Sequence, residues 1–141
     1  MNAADAHRSL VLAVDDNRAD LELLAIAFEL NGVEARIEHA IDGEQAVQRL
    51  EQMAAAGRCP DLILLDLNMP RKSGLEVLGY IKSRSLCQRA QVVIFTTSDR
   101  PADRDRARDL GADAFYTKPP RMEAFLEVIR RIAADHLTPL R

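Results

Sequence analysis

Two apolar runs in this chain end on carboxylates. Leu10 to Val14 (LVLAV) stops at Asp15 and Asp16, and Leu62 to Leu65 (LILL) stops at Asp66. Two further apolar runs end beside groups that suit a phosphate: Gln91 to Phe95 precedes Thr96, and Ala114 to Thr117 precedes Lys118. If these runs are neighbouring strands of one sheet, about 4.8 Å apart, the acids crowd each other and resist ionisation. A divalent cation removes that conflict. Mg²⁺ fits best, because it takes oxygen ligands and keeps several waters, with Mn²⁺ an alternative. A Lys ammonium is a compact charge for a phosphoryl group, and a Thr hydroxyl can donate to one of its oxygens. Together these residues suit phosphoryl transfer onto a carboxylate. Each residue alone has a plainer explanation. An Asp after a strand is usually a turn residue or helix cap, and a Lys-Pro pair is usually loop. The joint placement of Asp15, Asp16, Asp66, Thr96 and Lys118 at strand ends favours the chemistry.

The chain alternates between two periods. Short apolar runs at Leu10–Val14 and Leu62–Leu65 suit buried strands, and Gln91–Phe95 and Ala114–Thr117 read as two further short strands. Glu34 to Ala40 alternates apolar and polar residues, as a half-exposed strand near a sheet edge does. Between them run helical patterns. Leu21, Leu24, Ala25 and Phe28 share one face, and Asn31-Gly32 closes that helix. Asp42 with Gln45, and Ser73 with Glu76, are capping pairs that open two more helices. Pro101 suits the first turn of a fourth, and Met122, Phe125, Ile129 and Ile132 mark a fifth. Five strands alternating with five helices predict a parallel α/β sheet with helices on both faces, in one domain. Ligands of such sheets bind at the carboxyl ends of the strands, where the five residues fall.

Composition narrows the function. Of 141 residues, 48% are apolar and 29% charged, with a formal net charge of -3. That gives no footprint for nucleic acid or an anionic membrane surface. No run reaches the length of a membrane span, and the N-terminus lacks a signal peptide's apolar core, so a cytoplasmic protein is expected. Cys59 and Cys87 lack CxxC spacing and are expected to be ordinary small side chains. His7, His39 and His136 are too scattered for a metal site.

The motifs VDDN at 14–17, LLDLNMP at 64–70, TT at 96–97 and YTKPP at 116–120 resemble, in order and spacing, the receiver domain of two-component response regulators. The resemblance covers residues 9–135, leaving tails at 1–8 and 136–141 and no output domain. It implies a flavodoxin-like (βα)5 fold with strand order 2-1-3-4-5. It makes Asp66 the phosphoacceptor for a histidine kinase. Asp15, Asp16, Asp66 and the backbone carbonyl of Asn68 become Mg²⁺ ligands, and Lys118 a phosphoryl contact with a cis bond to Pro119. Thr96 and Phe115 become the switch pair that repacks the face of the fourth helix, fifth strand and fifth helix. Phe115 lacks the polar tip of a Tyr or His, which favours an inward ring even without phosphate. Asn68 and Ser98 fall where the family tunes dephosphorylation.

The wording VDDNRADLELL, DLNMPRKSGLEVL and FTTSDR looks most like single-domain regulators of phytochrome-type kinases, which points to a bacteriophytochrome partner. The output would pass by protein contact, by a homodimer through the switch face, or along a phosphorelay. The Arg-rich fourth helix reads as a solvated face with local ion pairs. A phosphatase with an Asp nucleophile is the competing class. It needs a second Asp two residues after the nucleophile, and that position is Asn68. The expected protein is therefore a signalling module that assists its own phosphorylation and dephosphorylation and no external reaction.

Overall fold

A computed structural model describes residues 9–137, so the expected tail at 1–8 and residues 138–141 of the expected tail at 136–141 lie outside the described residues. The elements are β1 Ser9–Val14, α1 Arg18–Leu30, β2 Ala35–Ala40, α2 Gly43–Ala55, β3 Leu62–Leu65, α3 Gly74–Ser83, β4 Gln91–Thr96, α4 Pro101–Asp109, β5 Ala114–Thr117 and α5 Met122–His136. The five strands form one parallel sheet in the order β2-β1-β3-β4-β5. The expected edge strand β2 is indeed an edge.

Alternation along the strands splits the core in two. Leu12, Val14, Ile63, Leu65, Val92 and Ile94 face Leu50, Val77, Leu78 and Ile81 of α2 and α3. Val11, Ala13, Leu62, Leu64, Val93 and Phe95 face Leu21, Leu24 and Phe28 of α1 and Phe125, Ile129 and Ile132 of α5. β3 is buried along its whole length, which explains why it is a continuous apolar run.

The predicted caps at Asp42 and Ser73 form, and Asn17 caps α1. The side chain of Asn17 accepts from Asp20 N at 3.2 Å, that of Asp42 from Gln45 N at 2.7 Å, and that of Ser73 from Glu76 N at 3.3 Å. Gln45 Oε1 reaches one residue further back than a capping box requires and accepts from Ile41 N at 2.8 Å. α1 closes at Asn31, followed by Gly32 in the left-handed region with φ 70°. α5 runs one residue beyond the expected boundary at 135, to His136, whose ring lies 3.0 Å from Gln91 Oε1 and 3.2 Å from the Tyr116 hydroxyl.

Two expectations are corrected. Cys59 and Cys87 are joined in a disulfide with a Cα–Cα distance of 5.5 Å. The pairing follows from register. Leu62 lies beside Gln91 in the β3–β4 ladder, and each cysteine sits a few residues before its strand, so adjacent loops bring them together. Spacing along the chain carries no sign of this. The second correction concerns Pro119. The described residues contain no cis peptide bond, so the Lys118–Pro119 bond is trans. Trans is the intrinsic preference of X-Pro by about 0.5–1 kcal/mol. Lys118 N extends the ladder by donating to Thr96 O, and its side chain reaches the acids from that backbone.

The disulfide closes a loop with a sequence separation of 28, for which chain-entropy stabilisation is about 3–4 kcal/mol. Reduction is therefore expected to lower the unfolding free energy by about 3 kcal/mol and to expose two titratable thiols. Denaturant melts with and without reductant check this, and superimposable curves would contradict it.

Candidate functional site

Register delivers the acids to one rim. Val14 pairs with Leu65, so Asp15 and Asp66 leave the sheet side by side. Both remain tied to the ladder: Asp15 N donates to Ala40 O and Asp66 N to Val14 O, each at 3.0 Å. Leu65 pairs with Ile94, and Thr96 pairs with Thr117, so Thr96 and Lys118 end at the same edge. Gly74, the first residue of α3, lets the chain after Asp66 fold back closely. A Cβ there would lie 2.1 Å from the Asp66 carbonyl oxygen.

The five predicted residues do come together. Asp15, Asp66 and Thr96 are buried, and Asp16 is exposed. One carboxylate oxygen each of Asp15, Asp16 and Asp66 lie within 4.8 Å of one another. Lys118, with its side chain only 6% exposed, is ion-paired to Asp15, to Asp20 at 3.0 Å and to Asp66 at 3.6 Å. Asn68 is exposed on the rim. Its N–H donates to Asp66 Oδ1 at 3.3 Å, and its side-chain amide makes a long contact of 3.5 Å to Thr96 Oγ1.

Burial and charge oppose each other here. Burial pushes the Asp15 carboxyl up, and the bonds from Lys118 and Asn17 N pull it down less than burial raises it, with Asp66 adding repulsion. Burial draws Lys118 toward neutrality, but Asp66, Asp15 and Asp20 outweigh it and hold the ammonium above its ordinary range. The rim thus carries an excess of anionic groups around one cation. Three clustered hard-oxygen donors, one of them open to water, fit Mg²⁺ or Mn²⁺.

The two residues expected to form the switch are placed differently from one another. Thr96 is fully buried, and its hydroxyl accepts from Ser98 N at 3.4 Å. Phe115 is half-buried and packs against the α2–α3 side of the core, with the Arg104 guanidinium 5.1 Å from its ring centre. The Arg-rich helix α4 does carry local pairs, Arg108 with Asp105 at 3.4 Å and with Asp109 at 3.8 Å. Arg104 instead makes an aromatic contact that reaches across to β5.

Two residues with roles at this edge were not anticipated. Asp20, in the first turn of α1, is a third carboxylate on Lys118. It sits in the first helical turn directly after the Asp15-Asp16-Asn17 run, a placement that could have flagged it. Asp103, buried in the first turn of α4, accepts from Ser98 Oγ at 2.5 Å and from Arg100 Nη2 at 3.1 Å. The Ser98 bond, against the cost of burial and with help from Arg100, lowers its pKa. The Ser98 hydroxyl is therefore directed to α4. Thr117 Oγ1 secures the same loop by donating to Ser98 O at 3.0 Å.

Residues 11–130 match the family described as response regulator receiver domain. The chain belongs to that family. Among relatives, the chain is 35% identical over 124 residues to the probable methanogenesis regulatory protein FilR2 of Methanothrix harundinacea, covering 87% of this chain and 80% of that one. It is 30% identical over 125 residues to the response regulator Rcp1 of Synechocystis, covering 87% and 85%. Among solved structures, the phosphorylated cyanobacterial phytochrome response regulator RcpA superposes with a TM-score of 0.84 at 33% identity, covering 95% of this chain and 97% of that one. The Mn²⁺-bound form of Rcp1 superposes at 0.80 with 29% identity, covering 94% and 97%. The strand order 2-1-3-4-5 implied by the family resemblance is the order found in the fold.

Because a ligating carboxylate must be ionised and the Asp15 pKa is raised, Mg²⁺ binding is expected to become coupled to proton release as the pH is lowered into the range where Asp15 titrates. Affinity should fall on acidification from a higher pH than an ordinary Asp, at 3.8, would dictate. Calorimetric titration in buffers of different ionisation enthalpy checks this, and an affinity that stays flat until the ordinary carboxylate range would contradict it.

Proposed function

We propose that this receiver protein is switched by phosphorylation of Asp66 from a histidine kinase. The observation that carries the reading is Lys118, buried and paired with both Asp15 and Asp66, on a rim where three carboxylates approach within 4.8 Å. A carboxylate oxygen of Asp66 attacks the phosphorus of a phosphohistidine. The P–N bond breaks, the imidazole leaves, and an acyl phosphate forms on Asp66. Asp15, Asp16, Asp66 and the Asn68 carbonyl would hold Mg²⁺, with Mn²⁺ as a substitute. The bound ion offsets the charge of the phosphoryl oxygens. Lys118 supplies the fixed positive charge next to Asp66, and burial strengthens its effect.

Thr96 donates its hydroxyl to a phosphoryl oxygen once it leaves the Ser98 N–H. The space this opens favours an inward Phe115 ring, drawing it from beneath Arg104. That repacks the face of α4, β5 and α5, a two-state shift set by which arrangement binds phosphate better. Asn68, at the rim beside Asp66, tunes hydrolysis of the acyl phosphate. Ser98 acts through the loop it ties to Asp103. The changed face meets a protein partner or a second copy of the chain. α5 shows one exposed large apolar side chain among the described residues, Met122, so a charged interface with Arg104 at its centre suits it better than an apolar one.

Similarity to Rcp1 and to the phytochrome regulator RcpA supports a bacteriophytochrome kinase as partner. A net charge of -3 gives no basis for a nucleic-acid or membrane partner. The role is that of a cytoplasmic signalling protein acting on no external substrate.

Incubated with acetyl phosphate and Mg²⁺, the wild type is expected to gain one phosphoryl group by mass. Asp66→Asn should gain none, and Lys118→Ala should react about a hundredfold more slowly. Equal labelling of wild type and Asp66→Asn, or release of phosphate from small phosphoesters, would contradict the proposal.

A further inference from the structure

Lys118 has three carboxylate partners, and they differ in what else they do. Asp15 and Asp66 belong to the oxygen cluster that would hold a cation, and Asp66 is also the proposed acceptor. Asp20 belongs to neither. Its carboxylate sits 3.0 Å from Lys118 Nζ, closer than Asp66 at 3.6 Å. It projects from the first turn of α1, an element whose start is fixed by the Asn17 cap and whose apolar face is buried against the sheet. Asp20 is therefore a rigidly based contact to the ammonium from outside the metal cluster.

We propose that Asp20 is a positioning residue for Lys118, holding the ammonium at the rim independently of the acids that take part in the chemistry. A lysine on a four-carbon stem is a mobile charge, and it acts on a transferring phosphoryl group only where its ammonium is held. When Asp15 and Asp66 turn to other partners, two of its three anchors are given up. Asp20 remains, so the ammonium stays beside Asp66 through the cycle. Backbone geometry cannot do this alone, because the ladder fixes Lys118 only as far as its N–H on Thr96 O. The inference rests on Asp66 being the phosphoacceptor.

The test uses the full chain, acetyl phosphate and Mg²⁺, with three readouts: the phosphorylation rate by mass, Mg²⁺ affinity by calorimetry, and the thermal midpoint. Asp20→Ala is expected to phosphorylate about tenfold more slowly, the lower end of what outer-shell partners cost, while Mg²⁺ affinity and thermal midpoint stay near wild type. Asp20→Asn keeps an acceptor oxygen within reach and should recover part of the rate. The inference is overturned if Asp20→Ala reacts at the wild-type rate, if Asp20→Asn is no faster than Asp20→Ala, or if Mg²⁺ affinity falls in step with the rate. A wild type that takes up no phosphoryl group overturns the proposed function, and this inference with it. A wild type that takes it up alongside an unaffected Asp20→Ala overturns this inference alone.

Discussion

The Lys118 ammonium among Asp15, Asp20 and Asp66 is the interaction on which the rest depends. One buried cation faces more negative charge than it can neutralise. Burying an unpaired carboxylate is costly, so the arrangement persists only where the surrounding fold enforces it. The fold enforces it through parallel strands whose carboxyl ends all meet at one edge, and through apolar runs that keep those ends in register.

That constraint explains the local details. β3 must be apolar on both faces because it brings Asp66 up through the centre of the sheet. Gly74 must lack a Cβ because α3 begins against the Asp66 carbonyl. The β4–α4 loop is tied by Thr117, Ser98 and Asp103, which places Thr96 under the rim and links it to the first turn of α4. Under the proposed function, this loop and the Arg104–Phe115 contact are what a change of charge at Asp66 would rearrange.

Much of this was legible in the sequence because it rests on local rules. Strand and helix periods, the Asn31-Gly32 stop and the caps at Asp42 and Ser73 follow from backbone chemistry within a few residues. The rim residues were legible because strand ends of a parallel sheet share an edge. What escaped depends on contacts between distant loops. The Cys59–Cys87 bond requires knowing that β3 and β4 are adjacent and where their loops fall. Asp103 read as one more surface charge on a polar helix, yet it is buried where it accepts from Ser98 and Arg100 of the preceding loop. The trans bond at Pro119 runs against an expectation carried over from resemblance alone, which no residue in the chain required.

If an excess of anionic charge at the rim is the governing constraint, removing one charge should stabilise the metal-free protein. Equilibrium unfolding of wild type and Asp66→Asn, with and without Mg²⁺ at matched ionic strength, tests this most directly. The variant is predicted to exceed the wild type by about 1 kcal/mol or more without Mg²⁺, and to gain less from adding it. A variant less stable than the wild type without Mg²⁺, or an equal gain in both proteins, would contradict the account.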